Sequence, residues 1–185
     1  MKNDLNNQQI AKYRSDGFLV IEDFLTPDEL ASWREALEEA VRKRGGNKMP
    51  DRKEVYGKGD AADKSYYDNV FAQLINLWQD NERISDIILD SRLGEMAAKL
   101  AGVDGIRIWH DQALIKKPWA NPTSWHLDTP YWSFTDKRAL SIWVALDDAT
   151  YHNGCLFFIP SSYHKTTFEN PGIGKNMSEI FSYYP

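Results

Sequence analysis

The hydrophobic period of this chain changes at Gly102, and that change restricts the fold more than any other feature. Before it, apolar residues recur every three to four positions: Leu30, Trp33, Leu37 and Val41; then Val70, Phe71, Leu74, Ile75 and Trp78; then Leu93, Met96, Ala97 and Leu100. Such spacing puts one apolar stripe on a helix, so the first hundred residues are expected to be mainly helical. After Gly102, Ile106, Ile108 and His110 alternate with Arg107 and Trp109. Residues 140–146 and 155–159 are β-rich runs bounded by the turn residues Asp147-Asp148 and Asn153-Gly154. Helices gathered before strands predict an α+β layout or a β-sandwich dressed with helices. At 185 residues this is one domain, with 1–102 as helical support and 103–185 as sheet.

The helix ends are written locally. Residues 7–16 form a short amphipathic helix closed by Gly17. Residues 18–21 read as a short buried strand. Thr26-Pro27-Asp28-Glu29 supplies a capping hydroxyl, a proline at the first helical position and a glutamate three residues after the cap, and Arg42-Lys43-Arg44-Gly45-Gly46 ends that helix. Residues 42–60 hold seven Lys/Arg, three Asp/Glu and four Gly without periodicity, which marks either a solvated connection or a lid over substrate.

Composition excludes several classes. No apolar run approaches the ~20 residues that cross a bilayer, and a net charge of −5 gives no general attraction to nucleic acid or anionic lipid. One cysteine, Cys155, forms no internal disulfide, and the first ten residues lack an apolar core of a secretion signal, so a reducing, cytoplasmic setting is expected.

Of four histidines, His126 stands two residues before Asp128. In an extended segment, period-two alternation sends both side chains to one face, where they chelate a metal; with a third histidine they make the facial triad of non-haem Fe(II) enzymes. Composition alone yields about 0.4 chance His-x-Asp pairs, so a surface turn accounts for the pair nearly as well. His110 and His152 read as core-edge or surface residues.

Context sharpens the pair. Trp125-His126-Leu127-Asp128-Thr129-Pro130-Tyr131-Trp132, then Trp143-Val144-Ala145-Leu146-Asp147-Asp148, then Asn153-Gly154-Cys155-Leu156-Phe157-Phe158-Ile159-Pro160-Ser161-Ser162-Tyr163-His164-Lys165 resemble the phytanoyl-CoA dioxygenase family in order and spacing, as does Tyr13-Arg14-Ser15-Asp16-Gly17-Phe18 near the start. The resemblance implies an Fe(II)- and 2-oxoglutarate-dependent dioxygenase that hydroxylates a small organic substrate with O₂. It implies a double-stranded β-helix (jelly-roll or cupin-like) against the helical part. It also implies His126 and Asp128 as iron ligands, with Trp143, Gln112, Lys117 and Thr129 as co-substrate contacts. Trp143 reads equally as core, and Trp125, Trp132 and Trp143 as either an apolar wall or sandwich packing. The family's third histidine and the arginine after it lie beyond the Ser-Tyr-His-Lys block and have no counterpart before Pro185; His164, inside that block, is a weak substitute and reads as a turn residue.

A jelly roll needs eight strands, and only four or five fit between Gly102 and Pro185, so C-terminal strands are expected to be missing from this chain. A naturally short protein that pairs its edge with another subunit is the alternative. Two further function classes stay open: a non-catalytic β-sandwich binding module with an incomplete metal site, and a cupin-like metal enzyme that does not use 2-oxoglutarate.

Overall fold

The computed structural model describes residues 1–44, 66, 68–167, 173 and 175–184. Among the described residues the helices are α1 (Asn7–Asp16), α2 (Pro27–Arg44), α3 (Glu82–Ile88) and α4 (Ser91–Ala101). Strand β1 (Ala72–Ile75) precedes α3, and β2 (Gln112–Ile115) follows α4. The two strands pair antiparallel in the register Ala72↔Ile115 to Ile75↔Gln112. Single 3-10 turns cover Leu77–Gln79, Thr129–Tyr131, Ser162–Lys165 and Glu179–Ser182. None of the described helices is long and apolar enough to cross a membrane.

Helix boundaries follow the local code. Asn6 and Gln9 cap α1 reciprocally at 2.9 and 3.0 Å, and Gly17 takes the left-handed conformation at φ 87°. A β-carbon there would lie 2.4 Å from the Tyr163 ring, so only glycine fits. Thr26 and Glu29 cap α2 in the same reciprocal manner, at 3.0 and 3.2 Å. The Glu29 carboxyl is drawn down to about 2, first by the Met1 ammonium, then by the Thr26 N–H, with Arg92 adding to the pull. Of the basic segment 42–60, Arg42, Lys43 and Arg44 at the end of α2 are described and the remainder lies outside the described residues.

Two clusters form the core. Ala36 and Ala40, one turn apart, let α2 approach Leu77, Ile84 of α3 and Ala113 of β2 closely, with Leu37, Leu74, Trp78, Ile87 and Ile88 around them. Leu5, Met96 and Leu100 form the second, closed by α1 residues Ile10 and Tyr13 and by Leu140 from the second half. Asn81 joins the first cluster's helices: its buried side chain accepts from Ile84 N at 3.0 Å and donates to Glu39 of α2 at 3.2 Å.

Three sequence expectations are corrected. Residues 70–78 form a strand and a 3-10 turn instead of a helix, because the amides of 72–75 exchange with those of 112–115; a short apolar run carries either period. Residues 18–21 form no strand among the described residues, and Val20 is exposed. Phe18 instead stacks on Phe158 at 4.8 Å. The second half supplies few strands: β1–β2 is the sheet found among the described residues, and 140–146 and 155–159 carry no ladder. The architecture is mixed α+β with few strands, and the double-stranded β-helix is not resolved in it. Phe157 and Phe158 are 56% and 51% exposed.

Asn81→Ala removes a helix cap and the buried donor to the half-exposed Glu39 carboxylate. It is expected to lower stability by about 1–2 kcal/mol with the m-value unchanged, read by urea denaturation.

Candidate metal centre

The segment that carries the pair is fixed from below. Asp111 accepts the backbone N–H groups of Leu77 and Trp78 at 3.2 and 3.3 Å, and its carbonyl accepts Asn76 N at 3.0 Å, which pins the start of β2 to the helical layer. At the other end of the loop, Lys116 donates to Val70 O at 3.1 Å and Asn121 O at 2.7 Å. Ser124 is buried, and the neighbouring Trp125 N donates to Met177 O at 3.2 Å. His126 therefore starts from a backbone held on both sides.

His126 Nδ1 lies 2.7 Å from the Ser124 carbonyl oxygen. A carbonyl only accepts, so Nδ1 carries hydrogen and Nε2 holds the lone pair when the ring is neutral. Nε2 lies 3.3 Å from Asp128 Oδ1. Two cis ligands with bonds of about 2.1 Å at a right angle stand about 3.0 Å apart, so a small inward movement admits a cation between these atoms. Backbone fixation of Nδ1 is the arrangement that orients a metal-binding imidazole. Ser141 Oγ donates to the other oxygen, Asp128 Oδ2, at 3.4 Å. The donor set fits a hard-to-borderline divalent cation such as Fe(II).

The backbone reaches this arrangement without a strand. Residues 121–127 carry no ladder, and Asp128 is helical at φ −76°, ψ −37°, where it opens the Thr129–Tyr131 turn. His126 and Asp128 both lie exposed at the surface; partial desolvation by the surrounding protein works against the charged His126 ring, yet the hydrogen bonds to Asp128 and the Ser124 carbonyl outweigh it and raise its pKa. The His126 hydrogen bond holds Asp128 below the usual carboxylate range against the opposing effect of partial desolvation, with help from Ser141.

Other expected residues are placed less centrally. Gln112 opens β2 and accepts from Gln73 across the strand pair. Lys117 is exposed, and its carbonyl accepts Ala120 N at 3.2 Å. Thr129 is half-buried in the turn after Asp128, and its carbonyl accepts Trp132 N at 3.2 Å. Trp143 is 45% exposed, two residues beyond Ser141. His152 sits exposed beside Tyr151. His164 lies on the Tyr163 ring at 3.9 Å, in a block whose bonds run to the end of α1: Ser161 N to Asp16 O at 2.8 Å, Ser161 Oγ to Ser15 O at 2.9 Å, and Tyr163 OH to Arg14 O. Among the described residues no third His, Cys, Asp or Glu joins His126 and Asp128. Sequence reading missed Ser141, a serine in a β-rich run with no motif of its own, and His110, whose buried Nδ1 has no hydrogen-bond partner.

A sequence model of the phytanoyl-CoA dioxygenase family matches residues 13–175, and the chain belongs to that family. It is 29% identical to an ectoine dioxygenase of Sphingopyxis alaskensis over 168 residues, covering 88% of this chain and 51% of that protein. It is 25% identical to phytanoyl-CoA dioxygenase domain-containing protein 1 of Bos taurus, over 86% of this chain and 66% of that one. With a methylphosphonate hydroxylase of Gimesia maris the identity is 23%, over 89% and 60%. The chain thus spans between half and two thirds of the length of these curated relatives. Among solved structures, the non-heme alpha ketoglutarate dependent carbocyclase SnoK from nogalamycin biosynthesis superposes with TM-score 0.52 at 20% identity, over 69% of this chain and 44% of that one, a likeness of fold.

A proton on His126 Nε2 competes with a metal, and the raised pKa carries that competition to higher pH than for a free imidazole. Mn(II) affinity, followed by electron paramagnetic resonance, is expected to fall as pH drops through that region. Ser141→Ala is expected to weaken it roughly 10-fold without unfolding the protein.

Proposed function

We propose that this chain is the metal-carrying part of an Fe(II)- and 2-oxoglutarate-dependent dioxygenase that hydroxylates a small organic substrate. The observation that carries the reading is the pair itself: His126 with Nδ1 given to Ser124 O at 2.7 Å and Nε2 turned to Asp128 Oδ1 at 3.3 Å. Membership of the dioxygenase family supports it.

His126 and Asp128 would hold Fe(II), which with 2-oxoglutarate and O₂ supplies the oxidising chemistry when bound. The chain's own residues prepare for that. The Ser124 carbonyl selects the imidazole tautomer and orients the ring. The Ser141 hydroxyl engages Asp128 Oδ2 and leaves Oδ1 toward His126. Asp128 stays ionised across the neutral range, which metal binding requires. Trp143, Gln112, Lys117 and Thr129 are the proposed co-substrate contacts.

A second reading, a binding module with an incomplete metal site, is favoured by one observation: the pair has no third ligand among the described residues. Anaerobic titration with Fe(II) and 2-oxoglutarate separates the two. The oxygenase reading expects a weak visible charge-transfer band that is lost in Asp128→Ala with the circular dichroism of the fold retained. Folded wild-type protein that binds neither Fe(II) nor 2-oxoglutarate supports the binding module and rejects the oxygenase.

A further inference from the structure

The tryptophans around the pair do not act as one wall. Trp125 turns away to Phe157 and Phe181, at ring distances of 6.5 and 6.0 Å. Trp132 stacks on Phe134 at 5.2 Å with the planes 25° apart, and Phe134 meets Trp109 edge-on at 5.6 Å and 90°. Trp109 in turn rests on His110 at 4.3 Å. Four rings from two segments, 109–110 and 132–134, therefore form a continuous row.

One of these segments, 132–134, follows directly from the turn that Asp128 opens. The turn that Asp128 opens is closed by Tyr131 N on Asp128 O at 2.9 Å and by Trp132 N on Thr129 O at 3.2 Å. The row is thus attached to the pair through that turn.

Exposure along the row is uneven. Trp132 and Phe134 are half-buried, whereas Trp109 is 44% exposed. An indole held by rings behind it and open in front is a rigid surface for stacking, with a large apolar area and little rotamer entropy to lose. The charges nearby argue against a cation. The three carboxylates of segments 109–112 and 128–138 are all engaged: Asp111 by Leu77 N and Trp78 N, Asp128 by His126 and Ser141, and Asp136 by Arg138 at 2.6 and 3.0 Å.

We propose that Trp109, backed by Phe134 and Trp132, is the surface that receives the primary substrate, and that this substrate offers it an uncharged planar ring or unsaturated segment. The proposal rests on the oxygenase reading, in which His126 and Asp128 hold the metal. Stacking on Trp109 would lay the flat part of the substrate along the row, with its reacting carbon toward the pair.

The test uses the full 185-residue chain loaded with Mn(II), with 1-naphthol as planar probe, cyclohexanol as non-planar probe and tetramethylammonium as cationic probe. Binding is read by saturation-transfer NMR, and nearness to the pair by Mn(II)-induced relaxation of the probe's protons. The expected result is 1-naphthol binding with strong relaxation, weakened roughly tenfold in Trp109→Ala and within about threefold of wild type in Trp109→Phe. Mn(II) affinity and thermal unfolding should be unchanged in both variants. Equal naphthol binding in Trp109→Ala overturns the proposal, as do naphthol bound without relaxation and a preference for tetramethylammonium or cyclohexanol. If wild-type protein takes up no Mn(II), the oxygenase reading fails and the proposal with it; if it does and naphthol ignores Trp109, the proposal fails alone.

Discussion

A single hydrogen bond organises the centre of this protein: His126 Nδ1 to the Ser124 carbonyl, 2.7 Å long. It sets which ring nitrogen is free, and it does so two residues before the carboxylate that the free nitrogen faces. The geometry depends on backbone that cannot drift. Ser124 is buried, and Trp125 N is bound to Met177 O at 3.2 Å. A flexible loop with the same His-x-Asp sequence would spend its free energy ordering both side chains before any cation arrived.

The helical layer supplies that rigidity. Asp111 fastens the strand before the site to the Leu77–Gln79 turn, and that turn lies in the same cluster as Ala36 and Ala40 of α2. Arg34 of α2 reaches Leu146 O and Asp147 Oδ1, so the same helix also holds the segment beyond Ser141. At the far end, Ser161 and Tyr163 take the last carbonyls of α1, groups that a helix terminus otherwise leaves without partners. The Ser-Ser-Tyr-His block that the sequence offered beside the chemistry is a clasp on α1.

What was legible in the sequence is what is decided locally. Gly17, Thr26, Pro27, Glu29 and Gly102 mark helix ends through interactions within a few residues, and those ends are where the sequence put them. Residues 70–78 were misread because their period suits a helix, and only pairing with 112–115, about forty residues on, makes 72–75 a strand. The runs 140–146 and 155–159 have strand composition, but composition supplies no partner, and the ladder is absent there among the described residues. At the site, the facing of His126 and Asp128 was readable from their spacing, although a loop and a turn produce it instead of a pleat. Ser141 and the Trp109–Phe134–Trp132 row were not readable, since their meeting depends on segments that come together only in three dimensions.

The account turns on which nitrogen of His126 is available. Long-range ¹H–¹⁵N correlation NMR on the ¹⁵N-labelled chain, at a pH above the His126 pKa and then with Zn(II) added, reads this directly. The account predicts the Nδ1–H tautomer in the free protein, and a Zn(II)-induced shift at Nε2 that disappears in Asp128→Ala. Hydrogen found on Nε2, or Zn(II) moving Nδ1 and leaving Nε2 in place, would contradict it.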